Sequence, residues 1–129
     1  MRTTLATAVA CSIAFLAPLS AHHSWTADYD AGKPVTVKGV VTKVEWTNPH
    51  THFYIESKDD KGTVTSWNFE MASPNILVRN GWKQSTVKIG DQITVSGYLA
   101  RKGERMAIAG AVADASGKPI FASNPDITR

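Results

Sequence analysis

The sequence predicts a mainly β fold: a small five-stranded barrel with one short helix between its third and fourth strands, built as a single domain. Three observations carry this expectation. Two neighbouring segments, HTHFYIES and VTSWNFEM, alternate apolar and polar residues with a period of two. The DDKGT stretch between them has the composition of a tight hairpin connection. The remaining β-rich segments are punctuated by Gly and Asp at short intervals, with a single proline-initiated helical pattern among them.

The first strand is PVTVKGVVTKVEW, residues 34–46, rich in β-branched side chains and interrupted by Gly39, where a bend or bulge is expected. In the second strand Phe53 and Ile55 point one way, and His52, Tyr54 and Glu56 the other. In the third, Trp67, Phe69 and Met71 share one face, and Ser66, Asn68 and Glu70 share the opposite one. A three-residue loop, Asp60-Lys61-Gly62, with Gly62 in the left-handed conformation, pairs Asp59 with Thr63. That register sets His52 opposite Glu70, Tyr54 opposite Asn68, Phe53 opposite Phe69 and Ile55 opposite Trp67. Turn chemistry and hydrophobic pattern thus select the same pairing.

Ser73-Pro74 reads as an N-cap followed by the first helical residue, and Gly81 ends the short helix that follows. Two more strands lie within KIGDQITVSGYLARKG and RMAIAGAVADASG, with Gly90-Asp91 turning into the first and Lys102-Gly103 between them. The order β-β-β-α-β-β is that of the OB-fold. Residues 34–115 therefore form the expected barrel, residues 22–33 an N-terminal arm and residues 116–129 a C-terminal tail, both polar and turn-rich.

The chain has 129 residues and a formal net charge of +3. Its start carries Arg2, then an uncharged apolar run over residues 5–19 that closes on Leu19-Ser20-Ala21, a pattern expected of a cleavable signal peptide over residues 1–21. Export to the periplasm or beyond is the resulting expectation, with no membrane anchor after cleavage. The run is shorter than a comfortable bilayer span. The sole cysteine, Cys11, falls inside this segment, so the mature chain offers neither a disulfide nor a thiolate ligand. About 108 residues remain, enough for one modest core. In them 13 Lys and Arg face 11 Asp and Glu, spread along the chain. From this balance no nucleic-acid partner is expected.

All four histidines fall in two close pairs, His22-His23 at the expected mature start and His50-x-His52 leading into the second strand. Side chains at i and i+2 of a strand share a face, so His50 and His52 can converge on one metal ion. Glu70, across from His52, can serve as a ligand or as the carboxylate that orients an imidazole. An ordinary solvated polar face is the alternative for these three. At the terminus, cleavage after Ala21 would set the new α-amino group beside the His22 ring. Cleavage after Ser20 would instead give an Ala-His-His start, with an imidazole in third position. Both arrangements supply nitrogen donors in a plane and favour copper, with nickel or zinc behind it. Adjacent histidines with no metal role are the alternative here too.

Met71 and Met106 read as core residues. Of the four tryptophans, Trp25 and Trp46 are candidates for the wall of a site. The sequence holds no nucleophile elbow, phosphate loop or metalloprotease motif, and Asp28, Asp30, Glu56 and Glu70 are too scattered to nominate a carboxylate pair. An enzyme is therefore the less expected class, and no catalytic residue is nominated.

The segments AHHSW, GKPVTVKGVVTKVEWTNPH, WNFEMASPNILVRNGW and KIGDQITVSGYLARKG resemble an exported bacterial family of uncharacterised proteins, the domain of unknown function 6152. The resemblance covers nearly the whole mature chain and rests on His22-His23-Ser24, Asn48-Pro49-His50 and Trp67-x-Phe69-Glu70. It implies that His22, His23, His50 and Glu70 belong to one site, and it brings no activity. An apolar or aromatic residue often stands at the position of His52 in that pattern, which ranks His50 above His52. Two functions follow as expectations. The first is a periplasmic protein that carries or sequesters a transition metal, copper foremost, through His22, His23, His50, His52 and Glu70. The second is an OB-fold module that binds a small molecule, glycan or protein through Trp25, Trp46, Tyr54 and Asn68, without metal.

Overall fold

The computed structural model describes residues 25–122. A single turn of helix, α1 (Trp25–Asp28), leads directly into the long strand β1 (Tyr29–Glu45). Then follow β2 (His52–Lys58), β3 (Val64–Glu70), the helix α2 (Pro74–Arg79), β4 (Gln92–Ala100), β5 (Met106–Asp114) and β6 (Pro119–Ala122). Neighbouring strands run antiparallel in the order β3-β2-β1-β4-β5-β6. A short parallel pairing of β3 with β5, from Asn68↔Met106 to Glu70↔Ile108, closes the sheet into a ring. The fold is the expected OB-type barrel, with a sixth strand added.

The hairpin between β2 and β3 has the expected register throughout, from His52↔Glu70 to Lys58↔Val64. Gly62 takes φ +84°, and the Asp59 amide donates to Thr63 O at 3.0 Å. The apolar faces meet inside the barrel, where Phe53 and Phe69 stack with ring centres 5.6 Å apart. Ser73 caps α2, accepting from the Ile76 amide, and Gly81 leaves the helix at φ +86°. Leu77 from α2, together with Trp82 and Val87 beyond it, is buried in the same core as Val41, Ile55, Met71, Ile93 and Val95. The helix packs on this core through Leu77.

Three boundaries differ from expectation. β1 begins at Tyr29 rather than Pro34, so the second half of the arm belongs to the sheet. Tyr29 pairs with Ala100 and Pro34 with Tyr98, leaving residues 30–33 opposite Leu99 alone. The polar DAGK stretch has no strand periodicity to betray this wide irregularity. Residues 119–122 of the tail form β6 on the edge of β5, where Phe121 meets the Trp82 ring edge-on at 5.2 Å. Finally, β1 bulges between Val41 and Lys43, not at Gly39. Gly39 instead marks a close approach: a Cβ there would lie 2.4 Å from Glu56 O, so only glycine fits.

Among the described residues, no helix is long and apolar enough to cross a membrane. The expected signal peptide and the pair His22 and His23 lie outside the described residues.

Candidate functional site

The register of β1, β2 and β3 lays two rows of polar side chains across the outer wall of the barrel. One row is Glu45, His52 and Glu70, and the next is Lys43, Tyr54 and Asn68. In the second row and its neighbours, charges are matched locally. The Tyr54 hydroxyl donates to Glu45 Oε2 at 3.1 Å, the Lys43 ammonium pairs with Glu45, and it also lies over the Tyr54 ring. The hydrogen bond from Lys43, then that from Tyr54, lowers the Glu45 pKa below the usual carboxylate value. Burial, then the bond to Glu45, raises that of Tyr54.

Glu70 ends β3, and its side chain is only 16% exposed. Both of its oxygens are engaged. Oε1 accepts from His50 Nδ1 at 2.5 Å, and Oε2 accepts a short hydrogen bond from the Tyr29 hydroxyl. His50 is brought there by the residue after it. Thr51 is buried, its amide donates to Ala72 O at 3.0 Å, and its carbonyl accepts from the Met71 amide at 2.8 Å. That pair of backbone bonds ties the loop before β2 to the residues just past Glu70. The His50 ring stays half-exposed.

Tyr29 completes the group from the other side. It is 3% exposed, and burial, followed by its hydrogen bond to the Glu70 carboxylate, pushes its pKa well above the ordinary phenol value. The arm in front of it is held to β4. The Trp25 and Tyr98 rings stack at 5.3 Å, Arg101 Nε donates to Thr26 O, and the Arg101 amide donates to Asp28 O. A cavity of about 330 Å³ lies between arm and barrel, lined by Tyr29, Glu70, Arg101 and Met106 among others. Tyr29 was not among the residues singled out from the sequence. A lone tyrosine between aspartates in a turn-rich stretch carries no periodicity, and only its burial reveals that its hydroxyl needs a partner.

Not all the expected residues meet. His52 stands opposite Glu70 as the register requires, yet its Nδ1 bonds Asn68 Oδ1 at 3.0 Å instead. Glu70 is bonded through both oxygens, one to His50 and one to Tyr29. Among the described residues no cluster of three or more His, Asp or Glu side chains could hold a metal ion. Trp46 packs, half-buried, against the hydrophobic core. Trp25 lies on Tyr98, while Tyr54 and Asn68 are engaged with Glu45 and His52. Met71 is in the core as expected; Met106 is half-buried and lines the cavity beside Glu70.

A family model described as "Family of unknown function (DUF6152)" matches residues 9–109. No curated protein matches the sequence. Among solved structures, the mitochondrial single-stranded DNA-binding protein Rim1 of S. cerevisiae is similar with a TM-score of 0.49 and 12% identity, over 64% of this chain and 93% of that one. The N-terminal domain of PriB from Thermoanaerobacter tencongensis gives a TM-score of 0.47 and 18% identity, over 65% and 97%. At such identities the likeness concerns the barrel. It does correct one expectation, the absence of a nucleic-acid partner. That exclusion rested on a modest, dispersed net charge, and a barrel of this kind is found in a protein named for binding single-stranded DNA. Net charge does not exclude that class.

Proposed function

Because the chain belongs to the DUF6152 family, which brings no activity with it, we propose a function from the site: an exported protein that binds a divalent transition metal, copper foremost, through His50 and the histidines of a processed N-terminus. The observation that carries this reading is the engagement of Nδ1 on both histidines near β2. Glu70 holds His50 and Asn68 holds His52, each through Nδ1, which leaves Nε2 as the coordinating atom. A metal-binding imidazole is oriented in this way by a carboxylate or amide oxygen on its other nitrogen.

His50 and His52 do not make a complete site, so further donors are required, and His22 and His23 supply them. His22 stands three residues before Trp25, a span of about 10 Å when extended, and α1 adds about 6 Å back to Tyr29. The arm that carries the terminal histidines ends at Tyr29, which shares Glu70 with His50. A mature terminus adds an α-amino nitrogen. Nitrogen-rich donor sets favour Cu(II) over Zn(II). Carriage or sequestration of the ion is the role that suits a chain without a catalytic motif.

Intact mass spectrometry of the exported chain gives the cleavage point and the copper stoichiometry together. Cu(II) titration is then compared between the processed chain, a chain with one added N-terminal residue, and His50→Ala. One equivalent bound by the processed chain, with affinity reduced at least tenfold in both others, is expected. Equal affinity in all three would sink the reading.

A further inference from the structure

We propose that the gap between the first half of β1 and the end of β2 is a docking groove for an extended acidic peptide, which enters it as an added β-strand. β1 pairs with β4 from Pro34 to Val40, but with β2 only from Val40 to Glu45. The two strands touch at Gly39, where Glu56 O leaves no room for a side chain, and diverge beyond it. The resulting wedge holds about 510 Å³ and lies at the opposite end of β2 from His52.

The lining identifies what kind of surface this is. Residues 35–40 all border the cavity, as do residues 56–58. Side chains of a strand alternate between its two faces, so a cavity on a face touches every second residue. One that touches six in succession runs along the strand's edge. On that edge, among the described residues, the β1 backbone has β4 as its partner on the other side only, and its gap-facing N–H and C=O groups have no ladder. An extended segment satisfies such groups by β-augmentation, and six residues of edge take a strand of about the usual length.

Charge selects the occupant. Lys38 and Lys58 flank the groove from its two sides, both exposed and with no ion pair among the described residues, against the single carboxylate of Glu56. A lysine on an open edge deters neutral strands from pairing; the same lysine draws in an acidic one. Between them Trp67 and Val35, partly buried against the core, offer an apolar floor for every second side chain of the guest. A single half-buried tryptophan beside an open backbone edge suits a peptide better than a run of stacked bases.

The test pans a random hexapeptide library against the protein and measures the enriched peptides on the wild type, on the Lys38→Glu/Lys58→Glu double variant and on His50→Ala. Enriched sequences should alternate Asp or Glu with β-branched residues and shift the amide resonances of residues 35–40 and 56–58. They should bind the double variant at least tenfold more weakly and His50→Ala unchanged. Lys38 and Lys58 are exposed, so the double variant should fold as the wild type does, which circular dichroism checks. No enrichment, enrichment of neutral or basic sequences, shifts elsewhere, or tighter binding of oligothymidylate at these residues would each overturn the proposal. The unchanged His50→Ala result separates it from the metal reading.

Discussion

Glu70 holds two partners that differ in kind, a phenol that stays neutral and an imidazole open to solvent. The raised pKa of Tyr29 has a consequence for stability. In the unfolded chain a tyrosine ionises near pH 10, whereas in the folded chain Tyr29 keeps its proton to higher pH. The unfolded state then binds fewer protons, so stability is full below about pH 10 and falls above it by up to about 1.4 kcal/mol per pH unit. Urea unfolding between pH 9 and 11.5 should show this slope, reduced in Tyr29→Phe. At neutral pH the same substitution leaves Glu70 one bond short and should cost about 2 kcal/mol. Thr51 offers the opposite case. Among the described residues its buried hydroxyl has no hydrogen-bond partner, and Thr51→Val should raise stability by about 1 kcal/mol in the same assay. The face carrying His52, Glu70, Tyr54 and Asn68 was legible in the sequence, because alternation and a three-residue loop fix it. Tyr29 as a partner of Glu70 was not, and the grouping of His50 with Glu70 came from the family resemblance and not from periodicity. His50 lies in a loop whose path depends on the backbone clamp at Thr51, and no periodicity encodes a clamp.

At the scale of elements, the β2–β3 hairpin and α2 were readable because each is specified by local chemistry, Gly62 at positive φ in one and Ser73, Pro74 and Gly81 in the other. β1 was readable only in part. Its bulge follows from the need to serve two partner strands, which is a tertiary demand, and Gly39 answers the close approach of Glu56 rather than the bulge. Gly97 is the sharper example of such a demand. It sits at the register shift between β4 and β5, and a Cβ there would fall 1.8 Å from Ile108 O. Backbone cannot yield as a flexible side chain would. Gly97→Ala should therefore cost about 3 kcal/mol or more, read as a lowered urea midpoint or as loss of soluble protein. Gly62→Ala, in an open turn, should cost only about 1 kcal/mol.

Over the whole molecule, the barrel closes through few residues. β3 meets β5 along three pairs, and just beyond them β6 continues the edge. Phe121 secures that strand against Trp82 from the segment after α2, joining the last strand to the plug of the core. Phe121→Ala should cost about 3 kcal/mol or more, and deleting residues 119–129 should cost at least as much, both checked by urea denaturation. The sixth strand escaped the sequence because four residues are too few for alternation to register. The wide irregularity after Tyr29 has a different kind of consequence. The chain from residue 30 to residue 33 makes no continuous ladder with β4, while Tyr29 itself is located by its hydroxyl on Glu70 and by Ala100 across the sheet. The position of the arm is thus set by an anchor and not by a count of residues. Related chains are free to lengthen or shorten this stretch without moving the anchor, and the spacing between the terminal histidines and the first regular strand is a poor guide to whether two of them share the same site.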